Sequence, residues 1–147
     1  MADVFTKSKR SEVMSRIRSR GNRGTELRLI AIFRLYGITG WRRNQPVFGH
    51  PDFVFPRERI AVFVDGCFWH GCPRHYSAPA NNAEFWRKKY ETNRRRDRLV
   101  TRTLKMLGWR VVRIWEHSLT GTGCRVATRI IAAMNSGHAS LAGCTVE

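Results

Sequence analysis

The chain has 147 residues, and its 27 Lys and Arg stand against 11 Asp and Glu, a formal net charge of +16. One domain is the default at this length, and it can bury a core without disulfides. No apolar run approaches the roughly 18 residues of a membrane span, and no apolar signal core follows Met1, so a cytoplasmic protein is expected. A charge excess of this size draws a protein to polyanions, and nucleic acid is the favoured partner. An anionic membrane is disfavoured, because no basic amphipathic helix with a wide apolar face stands out. A basic surface without a specific partner is the bland alternative.

Residues 1–24 are polar and basic, with Lys7, Lys9, Arg10, Arg16, Arg18, Arg20 and Arg23 against Asp3 and Glu12. Val13, Met14 and Ile17 suggest a short helix, broken at Gly21-Asn-Arg-Gly24, in an arm that orders on a partner. Residues 25–119 are expected to form the core. Thr25 is a candidate cap for a second helix with Glu26 in its first turn. Leu27, Ile30, Ala31 and Leu35 supply its apolar stripe, and Gly37 ends it. Trp41-Arg-Arg-Asn44 reads as a short strand and Gly49-His-Pro51 as a turn. Asp52–Phe55 and Arg59–Val64 read as two strands joined by Pro56-Arg-Glu58, most simply an antiparallel hairpin.

Gly66 to Pro79 is a loop rich in Gly, Pro, Cys and His. Asn81 or Asn82 is expected to cap a long helix running to about Leu107 and carrying Phe85, Trp86, Tyr90, Leu99 and Leu104; Gly108 stops it. Arg110–Trp115 is a further strand. Residues 120–147 hold a last helix, roughly Arg125 to Met134, and a polar tail. Strands flanked by helices in this order predict an α/β fold, a mixed sheet with helices on both faces.

The segment Val64-Asp-Gly-Cys-Phe-Trp-His-Gly-Cys-Pro-Arg-His75 crowds thiols, imidazoles, a carboxylate and two aromatics at the end of a core strand. The four cysteines are Cys67, Cys72, Cys124 and Cys144. Cys67 and Cys72 share their segment with histidines, and in a reducing compartment that favours a metal over a disulfide. Cys67-x4-Cys72-x2-His75 is plausible zinc spacing, and tetrahedral zinc needs a fourth ligand. His117 is the best candidate if Arg110–Trp115 runs parallel beside Ile60–Val64; Cys124 and His70 are the reserves. A closed four-ligand zinc is structural, and it would fix a loop too poor in aliphatic side chains to fix itself. The alternative is a buried Cys67 beside ordinary loop residues.

Asp52, Asp65 and His70 then remain nearby. Phosphodiester cleavage needs a divalent ion, and one or two carboxylates suffice to hold Mg²⁺. His70 would supply a base or acid that titrates near neutrality. Each residue alone has a bland reading: a turn, a cap, a solvated histidine.

Taken together, His50-Pro-Asp-Phe-Val-Phe55, Ala61-Val-Phe-Val-Asp-Gly-Cys-Phe-Trp-His-Gly-Cys72, Glu84-Phe-Trp86, Arg94-Arg-Arg-Asp97 and Leu107-Gly-Trp-Arg-Val-Val-Arg-Ile-Trp-Glu-His117 resemble the very short patch repair (Vsr) endonucleases. The resemblance covers about residues 8 to 119. It implies a restriction-endonuclease-like fold related to the PD-(D/E)XK nucleases, with a zinc-stiffened loop. It implies nicking of one DNA strand beside a T:G mispair arising from 5-methylcytosine deamination, with Mg²⁺ as catalytic ion and zinc as structural ion. Asp52 would bind Mg²⁺ with the backbone carbonyl of Val64, His70 would activate water, and Glu26 would assist. Phe68, Trp69 and Trp86 would wedge into the duplex beside the mispair. Family members carry a histidine where this chain has Asp65, which makes Asp65 the least secure catalytic candidate. Cys72, His75 and His117 also stand where the family has His, Cys and Cys.

Apolar wedges unstack a base step at a cost of a few kcal/mol, which is lower at a mispair. Arg16 in the basic arm and Arg87, Lys88, Arg94, Arg95 and Arg98 would contact phosphates. A monomer is expected, acting at the nucleoid, with coupling to other mismatch-repair proteins implied by the resemblance alone. Two competing readings are a nickase or restriction-type enzyme for a site in intact DNA, and a zinc-stiffened module that binds mispairs without cutting.

Overall fold

The computed structural model describes Thr6, Ser8 and residues 24–67 and 69–141. The expected helix around Val13 to Ile17, with Arg16, lies outside the described residues, as do Phe68 and residues 142–147. The elements are α1 (Glu26–Leu35), β1 (Arg42–Arg43), β2 (Phe53–Phe55), β3 (Ile60–Asp65), α2 (Ala83–Met106), β4 (Arg110–Trp115), a 3-10 turn (Glu116–Leu119) and α3 (Cys124–Leu141).

The sheet order is β1-β2-β3-β4. β2 pairs antiparallel with β1 and β3, the hairpin that the turn at Pro56 predicted. β3 and β4 are parallel, from Ile60 opposite Arg110 to Asp65 opposite Trp115. β3 is apolar on both faces because helices cover both. Ile60 and Val62 join Phe53, Phe55, Val112 and Ile114 in a core closed by α1 and α3. Ala61 and Phe63 face the other way, onto Val100 and Leu104 of α2. The period of two then aims Asp65 toward α2 as well.

Phe33 stands edge-on to Phe53 and Phe55, with ring centroids at 5.4 and 5.7 Å, and is fully buried. Truncating such a side chain to alanine costs about 3–5 kcal/mol. Gly108 has φ +86°, which lets Trp109 N–H return to Leu104 O at 2.9 Å and close α2.

Three local expectations are corrected. The buried face of α1 is Glu26, Leu29, Ile30, Ile32 and Phe33, whereas Leu27, Ala31 and Leu35 are exposed. The helix is apolar nearly all round, so several stripes were available, and the sheet selected the one that begins with a carboxylate. Thr25 and Asn82 occupy N-cap positions but make no side-chain capping bond; Asn82 is left-handed, at φ 54°. α3 runs on past Met134 to Leu141.

Candidate active site and metal centre

Asp52 lies just ahead of β2, and the antiparallel hairpin brings it beside the end of β3. Its Oδ2 accepts a 2.7 Å hydrogen bond from Val64 N–H. Burial pushes the Asp52 carboxyl up to about 6 against that bond; the charges of Glu26 and Asp65 push the same way, and His70 opposes them. Glu26 arrives on the inward stripe of α1, buried and paired with Arg43 of β1. Glu26, Asn44, Gln45, His50 and Asp52 line a hollow of about 410 Å³. An excess of carboxylate facing an open hollow suits a hard cation, whose charge offsets the cost of ionising Asp52.

His70 sits in the loop after β3. Its Nδ1 lies 2.6 Å from Asp97 Oδ2 of α2 and 3.8 Å from Asp65 Oδ1. Burial favours the neutral ring, but the Asp97 hydrogen bond and the charges of Asp65 and Asp97 prevail and raise its pKa above the ordinary imidazole value. Asp65 is itself buried, with both oxygens on Arg113 Nη1 at 2.9 and 3.1 Å. Burial raises its pKa while Arg113 and His70 restrain the rise.

Arg113 ties three elements together. From β4 it lies over the Phe63 ring of β3 at 4.5 Å, and its Nε donates to Thr101 Oγ1 at 3.0 Å on α2. Its Nη2 donates to Asp97 O at 3.2 Å, and Nη1 lies 3.7 Å from Asp97 Oδ1. Both carboxylates flanking His70 therefore meet one guanidinium.

Asp97 and Arg113 had no assigned role in the sequence reading, nor did Asn93, which is buried and donates to Trp69 O at 2.9 Å. A signal existed. Trp86, Tyr90, Asn93, Asp97, Val100 and Leu104 recur at helical spacing, so Asn93 and Asp97 are polar breaks in one inward stripe.

The structure brings Cys67, Cys72, His75 and His117 together, with their donor atoms all within 4.8 Å of one another. The parallel pairing of β3 with β4 does this, because the two strands exit side by side. His117 Nδ1 is 3.2 Å from Cys67 Sγ and 3.5 Å from Cys72 Sγ, and His75 Nδ1 is 3.7 Å from Cys72 Sγ. Tetrahedral bonds of about 2.0–2.3 Å place donors at roughly such separations. Burial and the neighbouring His75 and Arg74 hold His117 below the ordinary imidazole pKa, in the neutral form that ligates. Burial pushes the Cys67 thiol up to about 11, so a cation is needed to ionise it. The donors fit a tetrahedral metal. The reserves are elsewhere: Cys124 is exposed at the start of α3, and His70 is engaged with Asp97.

Trp69 and Trp86 meet at 6.1 Å, and Phe85, which is exposed, joins them edge-on to Trp86 at 5.3 Å. Gly71 admits the Tyr90 ring where a Cβ would overlap it, and Tyr90 stacks on Tyr76 at 4.8 Å. Arg94 donates to Tyr90 OH at 2.7 Å. Arg95 is exposed on α2.

The family model described as DNA mismatch endonuclease Vsr matches residues 2–75. The DNA mismatch endonuclease Vsr of Escherichia coli (strain K12) is 38% identical over 82% of this chain and 78% of its own length. The type II nicking enzyme V.NmeDIP of Neisseria meningitidis serogroup C is 38% identical over 80% of each chain. The type II nicking enzyme V.NaeI of Lentzea aerocolonigenes is 51% identical over 46% of this chain, a match that spans 40% of that protein. With agreement of this extent, the chain belongs to the Vsr family of DNA mismatch endonucleases.

Proposed function

We propose that the chain nicks one strand of DNA beside a T:G mispair left by deamination of 5-methylcytosine. The observation that carries this reading is the His70–Asp97 pair at 2.6 Å, beside Asp65 and within electrostatic reach of Asp52, with the Trp69–Trp86 pair on the same loop and helix. Asp52 and the Val64 carbonyl would hold Mg²⁺, which when bound polarises the scissile phosphate and neutralises charge developing on it.

The protein's own groups do the rest. Asp97 accepts the Nδ1–H of His70, which leaves Nε2 as the basic nitrogen. His70 Nε2 takes the proton of the attacking water as the new P–O bond forms and the old one breaks. Arg113 holds Asp97 and Asp65 in place, so it is a positioning residue, and Asp65 is its anchor in this chain. Glu26, fixed by Arg43, borders the Asp52 hollow and adds negative charge beside the cation. Cys67, Cys72, His75 and His117 would hold zinc and stiffen the loop between Asp65 and α2. On that support Trp69, with Phe68 and Trp86, enters the base stack, and Phe85 extends the aromatic edge. Arg16, Arg94 and Arg95 would bind phosphates. The sheet and its helices are consistent with a PD-(D/E)XK-related core.

Several relatives are named as nicking enzymes rather than repair enzymes, which favours a second reading, a nickase for one site in intact DNA. Paired duplexes that differ only by one T:G mispair, with each strand labelled separately, distinguish the two in Mg²⁺. A single nick on the thymine strand of the mispaired duplex is expected. Equal cutting of both duplexes supports the second reading, and tight binding with no cut at all overturns both.

A further inference from the structure

A cavity of about 750 Å³ opens beside His70, Asp65 and Asp97, and it continues along α2 well past the reacting groups. Arg98, Arg102 and Lys105 line that extension, Arg94 lies one turn before Asp97 on the same cavity, and Trp115 of β4 also lines it. The spacing of the basic residues puts them on one stripe of the helix, which rises about 16 Å from first to last at 1.5 Å per residue.

The charges on this stripe are handled unlike those at the start of the helix. Arg87 is paired with Glu91 at 3.7 Å and Lys88 with Glu84 at 3.4 Å. Beyond Asp97 the helix carries no acidic residue. Arg98, Arg102 and Lys105 are exposed and make no ion pair among the described residues. Like charges at this spacing destabilise a helix. The helix dipole compensates within the last turn, which covers Lys105 but leaves Arg98 and Arg102 unrewarded. A bare cationic stripe in a concave wall that ends at a general base has the chemistry of a polyanion seat.

We propose that this cavity seats the sugar–phosphate backbone of the thymine-bearing strand as it leaves the reaction site. The inference rests on the DNA-nicking reading and adds the path of the strand. Phosphates recur regularly along one strand, so a stripe of this length can meet several successive ones flanking the scissile phosphate.

The test is binding to duplex DNA in Mg²⁺-free buffer across a salt series. The combined variant Arg98→Gln, Arg102→Gln, Lys105→Gln removes three exposed charges and keeps good helix formers. The matched variant Arg34→Gln, Arg57→Gln, Arg125→Gln removes three exposed charges away from the cavity. Circular dichroism and thermal melts confirm that both are folded. The slope of log affinity against log salt should fall in magnitude by about 2–3 for the cavity variant and much less for the matched one. Equal slope changes would reduce the effect to net charge and overturn the proposal.

Neutral methylphosphonates at positions flanking the mispair locate the contact. On the thymine strand they should weaken wild-type binding and leave the cavity variant nearly unaffected. An effect of the same size in both proteins, or one confined to the other strand, also overturns the proposal. Because binding is read without Mg²⁺, a wild-type protein that never nicks a T:G duplex removes the reaction reading without changing either result.

Discussion

Asp52 shows most directly how a candidate site residue is set against the stability of its surroundings. Its folded pKa is about 6, against an ordinary value of 3.8. A carboxyl whose pKa is raised by folding costs stability progressively as pH climbs from its unfolded to its folded value. Below about pH 4 folded and unfolded chains are both protonated there, and the penalty is absent; above about pH 6 it is complete. Asp52→Asn should therefore raise thermal stability at pH 7.5 without Mg²⁺, by on the order of 1–2 kcal/mol, with no gain near pH 3.5. Melts at the two pH values check this, and equal gains at both would mean that charge is not the cause. At Arg113 a buried ion pair is at stake. Arg113→Met leaves Asp65 buried without its cation, a loss of about 3–5 kcal/mol. The double variant Asp65→Asn, Arg113→Met should recover most of that stability, yet its kcat should stay about 10–100-fold low at unchanged DNA affinity, because Asp97 has lost its hold. Arg113→Lys should restore part of kcat. Full recovery of kcat in the double variant would make Arg113 a counterion and nothing more.

At the scale of elements, helices α1 and α2 use one device. Each carries carboxylate or amide groups on the stripe that packs inward: Glu26 on α1, Asn93 and Asp97 on α2. This is why the apolar pattern misdirected the reading of α1, since a stripe that starts with Glu26 does not look like a buried face. The loop between β3 and α2 is held by different means. Few of its side chains are aliphatic, and three of the four thiol and imidazole donors, Cys67, Cys72 and His75, lie in the loop itself while His117 follows β4. Metal analysis of the purified protein should find one zinc per chain. Removing it with a chelator should abolish mispair preference while leaving much of the helix signal, because both cores lie outside the loop. A folded, selective protein with no zinc would remove the metal from the account.

For the whole molecule, the net charge of +16 and the cationic lining of the cavity along α2 both suit a polyanionic partner, and the proposed target is asymmetric. A mispair has no two-fold axis, so one chain per duplex is expected, and light scattering of the complex should return one 17.1 kDa chain bound. Two chains per duplex would require a partner's contribution to the site. No helix among the described residues is long and apolar enough to cross a membrane.

Much of this was legible in the residues themselves. The run Ile60–Val64 had to be a doubly covered strand, Pro56-Arg-Glu58 had to turn it, and Cys67, Cys72 and His75 formed a spaced donor set, because strand periodicity, turn chemistry and ligand spacing are local properties. The motif around Cys67–His70 also carried the family. Of the partnerships across elements, only that of His117 with the two thiols was anticipated, on the condition that β4 runs parallel to β3. The pairing of Asp97 with His70 and of Arg113 with Asp65 was not legible, because it depends also on α2 crossing that face. Sequence spacing sets which side of its own element a residue faces; only the packing of one element on another decides which charge it meets.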